Sequence, residues 1–179
     1  MRRGFLMVAF LFPLLLSAQR FITEQSTVIF FSEATIENIT AQNVKAKGLY
    51  DVSSGEIAFS IPIRDFVFEK ALMQEHFNEK YMETEKFPKA TFQGKVSGYA
   101  HGTAALQTVH ALGKLTIHGV TRDVDIIGTI ETEGGKLLMK SKFAVVLADY
   151  AVPRPQILWQ NIAEQVEVSI SFTFKPYEK

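Results

Sequence analysis

The residues with the most obvious chemical capacity sit together in Glu75-His76-Phe77-Asn78-Glu79-Lys80-Tyr81. A helical zinc site requires two histidines at i and i+4, and the position four after His76 is Lys80. His101, His110 and His118 stand on or beside strand-like stretches without paired spacing, so the sequence predicts no metal site and no cofactor. Nucleophilic hydrolysis is equally poorly served: there is no Gly-x-Ser-x-Gly elbow, no cysteine, and the carboxylates are scattered along solvent-facing positions. A glycine-rich phosphate loop is also missing. If the chain were an enzyme acting on a lipidic substrate, only His76, Tyr81 and Asp149 are titratable groups placed to serve it. The chemistry that remains is recognition: Arg64, Arg154 and His76 can offer charge or hydrogen-bond donors to a phosphate or carboxylate head group near a rim.

The elements that must position these residues are strands, because apolar residues recur with a period of two more often than 3.6. Ile57, Phe59, Ile61 and Ile63 share one face, as do Val166, Val168, Ile170, Phe172 and Phe174. Val124, Ile126, Gly128 and Ile130 alternate with polar residues, although Ile127 falls on the polar side. Ser53-Ser54-Gly55, His118-Gly119 and Gly134-Gly135 supply tight hairpin connections. Eight strands are predicted near 20–36, 42–51, 56–65, 90–99, 104–117, 121–132, 136–147 and 163–175. That many antiparallel strands close or stack, because open edges invite aggregation. The exception is the stretch from Phe68 to Phe87, where alternation stops and Leu72, Met73, His76, Phe77 and Lys80 follow helical spacing, giving one or two short helices before Pro88. A second irregular stretch, Ala148 to Asn161, holds Pro153 and Pro155 ahead of Ile157-Leu158-Trp159.

At the N-terminus, Arg2 and Arg3 precede the apolar run Phe5–Leu16, which is shorter than the roughly 20 residues a spanning helix needs. Leu16-Ser17-Ala18 offers small residues for a peptidase, so residues 1–18 read as a signal peptide cut near Ala18. Against an uncleaved anchor stand Pro13 inside the run and the lack of a second hydrophobic segment, so no stable membrane insertion is expected. The mature chain, 19–179, is read as one domain, periplasmic or secreted. Nineteen basic residues face nineteen acidic ones, and removing Arg2 and Arg3 leaves 17 against 19, which provides no basic stripe for nucleic acid. With no cysteine, the core must hold the fold without disulfides. Oligomeric state is not encoded in any of these signals, and a homodimer stays open.

An eight-stranded barrel is either just filled by its side chains or able to hold one slender ligand. The apolar supply favours the second arrangement. Phe30, Phe59, Ile61, Ile63, Phe92, Ile126, Met139, Phe143, Ile170 and Phe172 fall on inward strand positions. Phe66, Phe68, Leu72, Met73, Phe77, Tyr81, Met82 and Trp159 add a lid's worth of apolar surface in the irregular segments. Hydrophobic ligands are bound in sites lined this way, with a few polar groups at the mouth.

Three blocks in order give the chain a family resemblance. Phe77-Asn78-Glu79-Lys80-Tyr81-Met82 leads into Phe87-Pro88-Lys89-Ala90-Thr91-Phe92-Gln93-Gly94, and Gly113-Lys114-Leu115-Thr116-Ile117-His118-Gly119-Val120-Thr121-Arg122 follows. Asp149-Tyr150-Ala151-Val152 is the third. Together they resemble the YceI-like domain proteins, whose members include a periplasmic polyisoprenoid-binding protein. The resemblance implies a lipocalin-like, extended antiparallel barrel around a long isoprenoid or other amphiphilic lipid. Between Arg64 and Glu79 the chain departs from the more polar "T-x-x-x-x-R-D-x-H-L" pattern of many relatives, which implies a different lipid. The expected function is therefore an exported binding protein for an isoprenoid or fatty amphiphile. The alternatives are a filled barrel acting as an envelope scaffold or stress-related protein through its surface, and an enzyme using the three residues above.

Overall fold

Alternating residues form strands wherever one side of the backbone can be buried, and among the described residues this happens ten times. The computed structural model describes residues 19–33, 38–153 and 163–177. In chain order the strands are β1 (Arg20–Ser32), β2 (Ile39–Asn43), β3 (Lys47–Asp51), β4 (Glu56–Pro62), β5 (Val67–Phe68), β6 (Lys89–Ser97), β7 (Gln107–Ile117), β8 (Val120–Glu133), β9 (Lys136–Val146) and β10 (Gln165–Pro176). All neighbours are antiparallel, and β10 pairs back onto β1, closing the sheet. Because β2 and β3 both pair with β1, they are the two halves of one bent strand, and with the two-residue β5, which pairs only with β2, set aside, the wall has eight strands. This is the mainly β, lipocalin-like barrel the sequence predicts. Some predicted boundaries move: the strand expected near 42–51 begins at Ile39 and breaks at residues 44–46, the one expected near 56–65 ends at Pro62, and the one expected near 104–117 begins at Gln107.

Side chains repair that break. Asn43, fully buried, donates from Nδ2 to the Pro62 carbonyl at 2.7 Å and accepts the Lys45 amide on Oδ1 at 2.8 Å. Ser26 Oγ donates to the Ala46 carbonyl at 2.8 Å, and Thr23 Oγ1 accepts the Gly48 amide at 2.6 Å. On β1 the register slips between Thr23 and Gln25, a bulge that swaps which parity faces inward. Phe21 is buried before it, and Ser26 and Val28 after it.

The two ends of the barrel are built differently. At the end carrying the β3–β4 and β8–β9 turns, Phe21, Tyr50, Ile130, Leu137, Phe172 and Phe174 are all at most 1% exposed. Gly48 lets this packing happen: a Cβ there would stand 2.8 Å from the Phe59 ring and 2.9 Å from Phe174. At the other end, β4 runs through a 3₁₀ turn (Ile63–Asp65) and β5 into helix α1 (Ala71–His76), which continues as a π turn over Phe77–Tyr81. Here the expected helical stretch shrinks to these eleven residues, with α1 the only α-helix among those described.

A latch joins this cap to the β7–β8 hairpin. His118 and Gly119 both take positive φ, 48° and 76°, as a two-residue turn of this hand requires. His118, 8% exposed, packs its ring 4.3 Å from that of Phe87 and sets Nε2 3.2 Å from Glu83 Oε2. Lys86 also donates to Glu83. A Cβ on Gly119 would lie 2.6 Å from Phe87, so the glycine serves close approach as well as the turn. The end of the sequence block 113–122 is thus a structural joint.

Candidate functional site

Inside the wall lies a cavity of about 220 Å³ bordered by residues from the barrel strands and the cap. Its floor is aromatic. Phe59 lies 4.6 Å from Phe172 and 6.4 Å from Phe92, ring centre to ring centre, and Phe174 backs them at 6.0 Å from Phe59. Offset and edge-on rings at these separations attract beyond simple area burial. Above the floor, Ile61 and Ile63 continue the β4 face, while Ile126, Met139, Phe143 and Ile170 line the opposite wall. The roof is a second aromatic cluster: Phe30 touches Phe66, Phe68 and Phe77 with ring centres 5.5, 5.6 and 5.4 Å away. Met73, His76, Tyr81 and Met82 complete it from the helical segment.

Two of the sequence-predicted residues are placed elsewhere. Leu72 is 59% exposed, because α1 turns Met73, His76 and Phe77 inward at i, i+3 and i+4 and leaves its neighbour facing solvent. Arg64 sits on the outer surface of the 3₁₀ turn in an ion pair with Glu85 and does not border the cavity. Arg154 and Trp159 lie outside the described residues. Sequence reasoning missed Val28, hidden by the parity swap on β1, and the β7 face of Val109, Ala111 and Leu115, whose small members blur the alternation. It also missed Gly128 and Ser141, paired with each other on β8 and β9, where small side chains let the cavity reach the backbone of the wall.

The polar groups here are few and mostly occupied. Ser32 Oγ accepts the Ala163 amide at 3.0 Å, and Ser141 Oγ donates to the Ile127 carbonyl at 2.6 Å. Tyr81 is 6% exposed, and burial pushes its phenol up. Lys140 borders the cavity only from an outward strand position, with its side chain exposed. His76 is left as the one imidazole on the lining. Asp149 lies outside, its backbone carbonyl accepting a hydrogen bond from Arg122 Nε at 2.9 Å. Among the described residues no group of three or more His, Cys, Asp or Glu is placed to hold a metal ion. No described helix is long and apolar enough to cross a membrane. The arrangement suits enclosure of apolar matter.

Fold and cavity together define a lipocalin-like barrel with an apolar internal chamber. The sequence model of the YceI-like domain matches residues 20–174, and the chain belongs to that family. Among solved structures, it is similar to a polyisoprenoid binding domain from Saccharophagus degradans, described as implicated in plant cell wall breakdown. That pair shares 16% identity and a TM-score of 0.76, covering 89% of this chain and 99% of the other. BcnA of Burkholderia cenocepacia aligns at 16% identity and TM-score 0.70 over 83% of this chain and 95% of its own. The YceI protein of Campylobacter jejuni aligns at 14% and 0.55 over 100% and 92%. No curated protein sequence matches the chain.

Proposed function

We propose that this protein is an exported carrier or sink that holds an isoprenoid or other fatty amphiphile in its barrel. The observation that carries the proposal is the chamber of about 220 Å³ with an almost wholly apolar lining. It is larger than the cavity of roughly 150 Å³ that stays dry and takes up benzene in an engineered protein. Each methylene withdrawn from water is worth about 0.8 kcal/mol, so a tail is retained without specific polar chemistry. The Saccharophagus domain, a polyisoprenoid binder by its description, supports the same ligand class. In this reading the channel lining is the described part of the predicted set without Leu72, and His76 stands nearest to a head group. Export rests on residues 1–18, read as a leader cut near Ala18, which delivers the barrel to a periplasm or beyond.

Native mass spectrometry after gentle purification from the envelope tests the proposal. The expected spectrum shows the mature chain from Gln19 with a lipid adduct, and the same spectra read monomer against homodimer. A protein that repeatedly emerges empty, and gains no thermal stability from added polyprenyl or fatty lipids, overturns it.

A further inference from the structure

Among the described residues the wall parts around the bend between β2 and β3, where other groups bridge it, and again between β8 and β9. Where β2 parts from β4, Asn43 bridges to Pro62, β5 pairs with β2 through Ala41↔Phe68 and Gln42↔Val67, and the aromatic roof lies behind. The second parting is between β8 and β9. Their ladder runs from Glu133↔Lys136 to Gly128↔Ser141 and stops, although β8 extends back to Val120 and β9 onward to Val146. The far edge of each strand stays fully paired, β8 to β7 through Ile117↔Val120 and β9 to β10 through Gln165↔Val146. Ser141 ends the ladder by donating to the Ile127 carbonyl, and Arg122 closes the upper margin through the Asp149 carbonyl.

Three independent features point through this gap. The cavity lining includes Gly128, Thr129, Lys140 and Ser141, so the chamber extends to the main chain where pairing ends. Continuing the register places Ile126 opposite Phe143 across the gap, both on the lining. Outside, Ile127 is 56% and Leu112 52% exposed, and they are diagonal neighbours because Ile127 pairs with His110 and Leu112 with Asp125. Apolar surface therefore runs from Leu112 and Ile127 outside to Ile126 and Phe143 inside.

We infer that the β8–β9 gap is a lateral portal through which the alkyl or prenyl chain of the ligand enters and leaves the barrel. This rests on the carrier reading above. A chain sliding in sideways leaves the aromatic floor and roof in place, and a tail too long for the chamber has somewhere to go.

The chain's lack of cysteine makes the test clean. Single cysteines are introduced by Ala144→Cys at the exposed portal rim, Glu75→Cys at an exposed position of α1, and Lys47→Cys at an exposed position of β3, four strands from β8. Each is joined to polyethylene glycol through a reducible disulfide, and exchange of a fluorescent fatty-acid probe is followed by stopped flow. The expected result is that the Ala144→Cys conjugate slows uptake and release by about tenfold or more with little change in affinity, as blocked access changes rates rather than equilibrium. Reduction restores the original rates, which excludes misfolding. Unchanged exchange at Ala144→Cys, slowing at Glu75→Cys instead, or equal slowing at Lys47→Cys overturns the portal. Failure of the unmodified protein to take up any apolar probe is a different result, and it overturns the carrier reading.

Discussion

The two aromatic clusters of this barrel use the same residue type to opposite ends. The floor, Phe59, Phe92, Phe172 and Phe174, is set wholly on barrel strands with a ladder on either side, and Phe92, Phe172 and Phe174 are buried while Phe59 is partly so. The roof sets Phe30, on the 13-residue β1, against Phe66, Phe68 and Phe77, which come from the end of a 3₁₀ turn, a two-residue strand and a π turn; Phe30 and Phe77 are only partly buried. Rings on rigid strands hold the fold together. Rings on short elements can shift without unfolding the rest, because local opening costs least where backbone pairing is sparse. The comparison teaches that stability and ligand handling are segregated along the barrel axis.

The largest test of that division is truncation. Phe174→Ala, at 0% exposure, should cost about 3–5 kcal/mol in denaturant-induced unfolding. Phe77→Ala should cost less than half as much and weaken retention of an apolar probe; equal stability losses would erase the distinction. Alkali should act next, and on the floor end. Burial, followed by the neighbouring Tyr99 and Asp51, pushes the Tyr50 phenol from 10.0 up to about 12. A raised value means that the stability it confers is complete below pH 10.0 and is lost as pH climbs through about 12. The difference amounts to roughly 2–3 kcal/mol, and Tyr50→Phe should flatten the alkaline limb of a thermal-stability profile.

Asn43→Ala, at the mended break between the two halves of the bent strand, should cost about 1–3 kcal/mol by removing both hydrogen bonds of a buried side chain, to the Pro62 carbonyl and from the Lys45 amide. Protection of the β2 amides from hydrogen exchange should fall more than that of β10. The smallest effect is expected in acid, at the roof. The Lys86 hydrogen bond, aided by His118, holds Glu83 below its ordinary 4.5, so its contribution is present above that value and fades as pH drops through the lowered one. Glu83→Gln should remove that acid dependence from probe release while leaving the alkaline limb intact.

Most of the barrel was legible because burial on one side of a strand writes itself as alternation. The ring of eight, the three tight turns and the aromatic supply of both clusters follow from that rule and from turn chemistry. The bulge at Glu24 was not legible: one extra residue reverses parity without any distinctive residue type. Leu72 and Met73 were assigned to the same face because a helix of six residues is too short for periodicity to fix its phase. The portal left almost no trace, since a missing rung has no side chain of its own. Its single mark in the sequence is Ile127, the apolar residue that interrupts an otherwise regular strand.

A wall with unpaired backbone is also a template on which foreign strands can grow. The borders of the β8–β9 gap carry Asp123 and Asp125 on one side and Lys142 on the other, the last engaged with Glu167 at 2.8 Å. Charged side chains at such borders discourage an incoming strand from docking. The same opening that admits a flexible hydrocarbon is thereby guarded against polypeptide, which matters for a chain whose exposed edges would otherwise promote fibre-like assembly.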